Sequence, residues 1–294
     1  MYLEQFKNNK ENILKYLPFV LGFIGFMGLN LITSQLLNTD SAAMIDNSVK
    51  TLGKNFTFFS FLIPFTFFLA LLLIWWKYIH KETFTRLTTG RKKIDWNRFF
   101  FSFTIWGLIN AITLAITYFI NPNNFELQFN PQAFVPLFLI ALIFIPLQTS
   151  FEEYFFRGYL MQFIALSSKS KFLALFISSV IFGLMHISNP EVSEMGLVIM
   201  IFYIGCGLVL GIMTLMDGGL ELALGFHAVN NLFGAVVLTT SSSVFQTDAI
   251  ILFKGESSII ELLIQVFIIF PILLYIFSKK YNWKNWNQKL FKAM

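Results

Sequence analysis

An all-α, polytopic membrane protein of about eight transmembrane helices, with a polar site inside the bundle, is the fold class that the sequence predicts. Three observations predict it: an excess of apolar residues, their grouping into eight runs, and a one-sided distribution of basic charge. Hydrophobic residues make up 56% of the 294 positions and charged residues 13%, about half the charged share of an average globular chain. Eight spans of ~20 residues need roughly 160 mostly apolar positions, close to what this composition supplies. The same composition excludes a secreted disulfide scaffold, a disordered tail protein and a soluble nucleic-acid binder. The single cysteine, Cys206, sits in an apolar run, so no intrachain disulfide and no paired-cysteine metal site is available.

The eight runs are Phe19–Leu36, Phe56–Trp76, Phe99–Ile120, Ala133–Phe151, Phe172–Ile187, Met195–Met216, Gly218–Thr240 and Ile259–Phe277. The fourth resumes after a charged interruption and continues to about Leu166; the fifth is short; the seventh is diluted by Glu221, His227, Asn230 and Asn231. The opening segment Met1–Lys15 mixes acids and bases and no small-residue cleavage site follows it, unlike a cleavable signal. No repeat and no long linker divides the chain, so residues 1–294 read as one membrane domain, with the motif-bearing core at 130–240.

Orientation follows from Lys and Arg. With the N-terminus inside, 17 basic residues fall in inside segments and three (Lys50, Lys54, Lys254) outside, while Arg157 lies within the fourth segment. This predicts a multi-pass cell-membrane protein with both termini cytoplasmic; the Asn, Lys, Ile and Phe bias resembles that of an AT-rich bacterial genome, and the membrane expected is a bacterial inner membrane. Trp75, Trp76, Trp96, Trp283 and Trp286 fall near the inferred cytoplasmic boundary, as interface anchors do. Arg91, Lys92 and Lys93 read as topology determinants with affinity for anionic headgroups.

An ionisable side chain in hydrocarbon costs roughly 2.5–3.5 kcal/mol on insertion scales and marks function by default. Three places concentrate such groups: Glu152, Glu153 and Arg157; Phe182 and His186; His227, Asn230 and Asn231. On a helix Glu153 and Arg157 are four apart with the acid first, the favoured order for an ion pair. Glu152 points about 100° away and is expected to lack a local partner, leaving it available for chemistry. His227 and Asn231 share one helical face. Two imidazoles and a carboxylate, here Glu152, His186 and His227, form a recognised catalytic zinc shell with an open water position. Zinc would lower the pKa of that water while a carboxylate moves its proton, and Asn231 suits an oxyanion donor. The soluble HExxH signature is absent.

The three motifs in this order, EExxxR (Glu152, Glu153, Arg157), FxxxH (Phe182, His186) and HxxxN (His227, Asn231), resemble the CPBP intramembrane proteases, which include CAAX prenyl endopeptidases and abortive-infection relatives. The resemblance covers about residues 130–240. It implies an eight-helix fold that cuts peptide bonds inside the bilayer. By position, Glu152 and His186 match the pair that activates water, His227 and Asn231 match metal ligands or oxyanion stabilisers, and Glu153 and Arg157 match supporting residues. The partners implied are a peptide or protein substrate within or at the membrane, and the bilayer itself.

Buried Glu, His and Arg also line ion pathways, so a proton- or ion-coupled transporter and a non-catalytic membrane scaffold stand as competing readings. Outside the motifs, Asn30 and Asn110 read as helix–helix hydrogen bonders, Asp217 and Glu221 as interfacial acids, and His80 as solvated. The charge asymmetry yields a direct expectation. In a Cys206→Ser background, impermeant thiol reagents applied to intact cells should label a cysteine at residue 50 and not one at residue 91. Label at 91 but not at 50 would invert the topology.

Overall fold

The computed structural model describes residues 2–6, 13–36 and 41–293, so Lys7 and Lys10 of the N-terminal basic group lie outside the described residues. Helices run in the order α1 (Ile13–Leu36), α2 (Ser41–Leu52), α3 (Lys54–Trp75), α4 (Phe84–Thr88) and α5 (Trp96–Ile120). A short strand β1 (Phe125–Leu127) precedes α6 (Pro131–Glu153), which passes through a π-helical turn, Tyr154–Leu160, into α7 (Met161–Ser168). Then come α8 (Lys171–Leu184), α9 (Pro190–Met195), α10 (Met200–Asp217) and α11 (Glu221–Leu232). Another π-helical turn, Phe233–Val237, leads to β2 (Leu238–Thr240) and β3 (Ile251–Phe253), followed by α12 (Ile259–Ile264), α13 (Phe270–Lys280) and α14 (Trp286–Leu290).

Among the described residues six helical stretches are long and apolar enough to cross a membrane: Ile13–Thr33, Lys54–His80, Trp96–Ile120, Pro131–Ser168, Pro190–Asp217 and Ile259–Lys280. Two further apolar helices, Lys171–Leu184 and Glu221–Val237, are shorter; the first rises only ~21 Å against a hydrocarbon core of ~30 Å. These two shorter helices carry or immediately precede the site histidines. The all-α expectation needs one qualification, a small sheet of order β1-β3-β2 at the end of the bundle away from the basic loops. There β1 pairs antiparallel and β2 parallel with β3.

Local chemistry sets the helix ends. Asn130 caps α6 by accepting from Gln132 N–H, with Pro131 in the first turn, where no amide is needed. Ser170 caps α8 by accepting from Leu173 N–H, and Lys169 at φ 56° turns the chain tightly between α7 and α8. Glycines then allow close helix contact. A Cβ at Gly207 would lie 2.8 Å from the Ser179 carbonyl oxygen, so α10 approaches α8 only because that atom is absent. Gly225 likewise sets α11 against the Phe99 carbonyl of α5.

Several expectations are corrected at the basic end. His80 is buried rather than solvated: its ring stacks on Trp76 at 4.8 Å and its Nε2 lies 2.9 Å from the Tyr159 hydroxyl. Trp76 and Trp283 are buried core residues, whereas Trp96 stays exposed as an anchor would. Trp76 fills the core where α1, α3 and the segment after Glu153 meet, and its Nε1–H donates to Thr83 O. The carboxylates of Asp217 and Glu221, expected to be interfacial, are buried within the protein and paired. Arg91 binds Asp217 at 2.5 Å and Glu221 at 3.0 Å, and Arg98 also pairs with Asp217. Burial of two carboxylates is tolerable only with such partners. Arg91 is therefore tied down, and exposed Lys92 or Lys93 makes the better labelling position on that loop. Asn30 and Asn110 make no side-chain hydrogen bond to another described residue; Asn30 is exposed, and Asn110 lines a cavity described below.

Candidate active site

The three polar motifs meet. Glu152, His186, His227 and Asn231 line one cavity of about 420 Å³, together with Gln148, Phe182, Tyr203 and Asn230. Glu152 and Glu153 end α6, His186 lies just beyond α8, and His227, Asn230 and Asn231 lie on α11. Convergence of these three elements is what the spacing required, and the close glycine contacts of α10 and α11 make it sterically possible.

Glu153 is fully buried and is the hub of the polar cluster. Its Oε1 accepts from Arg157 Nη1 at 2.9 Å and from His227 Nδ1 at 2.8 Å. Arg157, also buried, donates from Nη2 to Gly207 O at 3.2 Å and lies 4.2 Å from the centroid of the Phe182 ring. The expected four-residue ion pair is therefore present, and it reaches a third helix. Because a carboxylate paired with guanidinium only accepts, the His227 Nδ1 atom carries a proton, and in the neutral ring the Nε2 atom presents a lone pair.

That lone pair faces Glu152. His227 Nε2 is 3.6 Å from Glu152 Oε2, longer than a hydrogen bond, and Oε2 is buried with no hydrogen-bond partner among the described residues. Two acceptors facing each other across this distance are complementary to a group that donates to both, or to a cation. The other oxygen, Oε1, accepts from Gln148 Nε2 at 2.5 Å. Glu152 thus does have a local partner, contrary to expectation. Sequence reasoning passed over Gln148, although a lone amide four residues before Glu152 in an apolar run was a usable signal.

An amide chain continues from there. Asn231 Nδ2 donates to Gln148 Oε1 at 3.0 Å, Asn230 Nδ2 to Asn231 Oδ1 at 3.2 Å, and Trp106 Nε1 to Asn230 Oδ1 at 3.1 Å. Asn230, expected to be only a polar neighbour, links the cavity to α5. On the opposite wall His186 Nδ1 contacts Phe182 O at 2.9 Å, and its ring stacks on Tyr203 at 4.4 Å. A carbonyl only accepts, so this nitrogen is also the protonated one and Nε2 is left with its lone pair. Tyr203 had no sequence signal, being one aromatic among many.

Glu152, His186 and His227 bring the donor chemistry of a zinc shell to one cavity, and both imidazoles show the outer hydrogen bond typical of metal-ligating histidine. Among the described residues, however, no group of three or more His, Cys, Asp or Glu side chains is drawn together into an ion-holding set.

Residues 131–233 match the family model described as type II CAAX prenyl endopeptidase Rce1-like. This segment, about a third of the chain, is what resembles that family of membrane endopeptidases. The matched segment contains every residue of the cluster just described except Trp106. The chain is also 36% identical over 171 residues to the uncharacterized protein YyaK of Bacillus subtilis (strain 168), covering 58% of this chain and 57% of that protein. The chain therefore spans a little over half the length of this curated relative. No solved structure matches.

The geometry separates the two glutamates by what each loses on neutralisation. Glu153→Gln removes the charge that compensates buried Arg157, a change that typically costs about 3–5 kcal/mol. Glu152→Gln keeps the volume and the contact with Gln148. Thermal unfolding in detergent should fall steeply for Glu153→Gln and stay near wild type for Glu152→Gln; equal Tm values would refute the division of labour.

Proposed function

We propose that the protein is an intramembrane endopeptidase that cleaves membrane-associated or leader-type peptides by water activated at Glu152. The observation that carries this reading is the buried Oε2 of Glu152, without a hydrogen-bond partner among the described residues and 3.6 Å from His227 Nε2. In the proposed reaction Glu152 takes one proton from water as the water oxygen bonds to the scissile carbonyl carbon. The carbonyl π pair moves onto oxygen, where an amide N–H of Asn231 not used by Gln148 can donate to it. As the pair returns and the C–N bond breaks, Glu152 passes its proton to the leaving nitrogen, which departs as an amine.

His186 and His227 orient the water through their Nε2 atoms. Glu153 and Arg157 act at one remove, by fixing the His227 ring. Gln148 holds Glu152 in the rotamer that turns Oε2 into the cavity. The apolar lining, including Phe156, Phe182 and Phe226, limits bulk water and strengthens these interactions.

Although among the described residues no three such side chains are drawn together into an ion-holding set, Glu152, His186 and His227 suit zinc by donor chemistry and would hold it. Bound there it would supply a water of lowered pKa and polarise the substrate carbonyl. The orientation that suits the 17-to-3 charge asymmetry has both termini on the cytoplasmic side of a bacterial membrane.

The test is proteolysis by the purified full chain in lipid nanodiscs, with a mixed-sequence peptide library as probe and cleavage read by mass spectrometry. Wild type should cleave and Glu152→Gln should lose about a thousandfold, within the 10²–10⁴ that a general acid–base group typically contributes. Metal analysis of the same preparation should find about one equivalent of zinc, lost in His186→Ala and His227→Ala. Active metal-free protein would assign water activation to Glu152 and the histidines alone. No cleavage by wild type, together with Glu152-dependent proton flux in liposomes, would replace the protease reading with a carrier.

A further inference from the structure

The catalytic cavity holds a second carboxylate that the proposed reaction does not use, and it carries an inference about substrate that rests on the endopeptidase reading above. Glu191, in the first turn of α9, lines the same cavity as Glu152, His186 and His227. One of its oxygens, Oε1, accepts from Val244 N–H at 3.1 Å and so holds the loop after β2 against the cavity. The other, Oε2, is buried and has no hydrogen-bond partner among the described residues. The state of the proton does not relieve this: an ionised Oε2 accepts from nothing, and a protonated one donates to nothing. A buried polar atom without a partner costs free energy, and each of the two carboxylates lining this cavity has one such oxygen.

The surroundings set Glu191 apart from the other acids at this end of the bundle. Glu194, one turn on, uses both oxygens, accepting from the Ser242 hydroxyl and from Ser257 N–H at 3.2 Å. Asp248 is paired with Lys54 at 2.8 Å, and Glu126 with Lys254. Glu261 belongs to an adjoining cavity of about 430 Å³, which contains Asn110 and shares Phe202, Asn230 and Thr240 with the first, and it is exposed rather than enclosed. Of these acids only Glu191 keeps a buried oxygen that no described residue pairs. Nor does the catalytic cavity supply a cation of its own. Among the described residues no lysine or arginine lines it, and Arg157 is paired with Glu153 behind its wall. Two carboxylates in an apolar-walled space without a fixed cation focus a negative potential there.

We infer that Glu191 forms a specificity subsite for a cationic group of the substrate, an ammonium or guanidinium that donates to Oε2 while the scissile carbonyl lies at Glu152. Such a group satisfies the free oxygen in its ionised form and brings charge of the sign that the cavity lacks. A neutral donor of the same size satisfies the oxygen but leaves its charge uncompensated in apolar surroundings. Tyr203 connects the two ends of the wall: its ring stacks on His186, and its hydroxyl accepts from Asn189 Nδ2 at 3.2 Å. Five residues separate His186 from Glu191, so their Cα atoms lie at most about 18 Å apart, which an extended peptide covers in about five residues. The cation therefore belongs within about five residues of the scissile bond. A lysine or arginine stem suits the apolar wall on the way, because its methylenes pack on apolar surface while the head keeps a polar partner. The α-ammonium of a substrate cut near its N-terminus carries the same chemistry.

The experiment digests the mixed-sequence library with the wild-type chain in nanodiscs and maps every cut by mass spectrometry. Cleaved peptides should share a lysine or arginine at one fixed position within about five residues of the cut, or be cut within that distance of a free N-terminus. In one cleaved lysine peptide, norleucine in place of lysine and acetylation of the lysine Nζ should each lower kcat/KM by about tenfold or more, the loss of a charge-assisted hydrogen bond. Acetylation of its α-amine should change kcat/KM by less than about threefold; the opposite pattern would place the α-ammonium in the same subsite. Glu191→Gln keeps the volume and the contact with Val244 N–H and removes the charge. It should bring the lysine-to-norleucine ratio to within about threefold of unity, by lowering kcat/KM for the lysine peptide alone, with Tm near wild type. A carboxylate that only fastens the loop leaves that ratio where it stands in wild type. An unchanged ratio, or wild-type cuts without preference for a cation, would overturn the subsite while leaving the endopeptidase reading intact. If Glu191→Gln does not fold, the peptide series on the wild-type chain decides alone. Absence of any cleaved peptide would overturn the endopeptidase reading itself, and the subsite with it.

Discussion

The buried carboxylate of Glu153 is the constraint on which the rest of the site depends. One oxygen receives Arg157 and His227 together, and Arg157 continues to the Gly207 carbonyl. Four helical elements are thereby bound to one charge: α6, the π-helical turn after it, α10 and α11. Removing a carboxylate and a guanidinium from water costs several kcal/mol per ion even after relaxation. A hydrophobic pair of similar volume would pack here at lower cost. The ion pair therefore makes little sense as a stability device and good sense as a fixed electrostatic support for the imidazole it holds.

That support gives the two glutamates opposite characters although they are adjacent in sequence. Both approach the same ring, Glu153 at Nδ1 and Glu152 at Nε2. The first contact is a short hydrogen bond with defined polarity; the second is a gap between two acceptors. Packing maintains the gap. Phe182 sits beneath Arg157 and also meets the His186 and His227 rings, so one aromatic residue sets the height of three polar groups. Gly207 and Gly225 let α10 and α11 come close enough for the contacts to form. The ion network of Arg91 with Asp217 and Glu221 fixes the start of α11 from the other end.

Much of this was legible in the sequence because the bilayer makes polar residues expensive and therefore informative. The EExxxR, FxxxH and HxxxN patterns marked Glu152, Phe182, His186, His227 and Asn231, which share the cavity, and four-residue spacing foretold the Glu153–Arg157 pair behind it. What escaped was set by tertiary contact. Gln148 is one amide in an apolar helix until Glu152 is seen above it. His80 looks solvated in a basic loop, but α3 continues as a π-helical turn to His80 and carries the ring against Trp76 and Tyr159. Asp217 and Glu221 sit at a predicted span boundary, where acids normally meet water; Arg91 and Arg98, more than a hundred residues away, enclose them instead. The sheet was missed because its strands are three residues each, too short to show an alternation, and two of them border runs that score as helix.

The central claim is that Glu153 fixes His227 with its proton on Nδ1, so that a lone pair faces Glu152. Nitrogen-15 spectra of histidine-labelled protein in detergent, with His227 assigned by substitution, report this directly. The account predicts a protonated-type shift at Nδ1 and a lone-pair-type shift at Nε2 in the wild-type protein near neutral pH, and loss of that single tautomer when Glu153 and Arg157 are both replaced by leucine. A wild-type His227 that carries its proton on Nε2, bonded to Glu152, would contradict it.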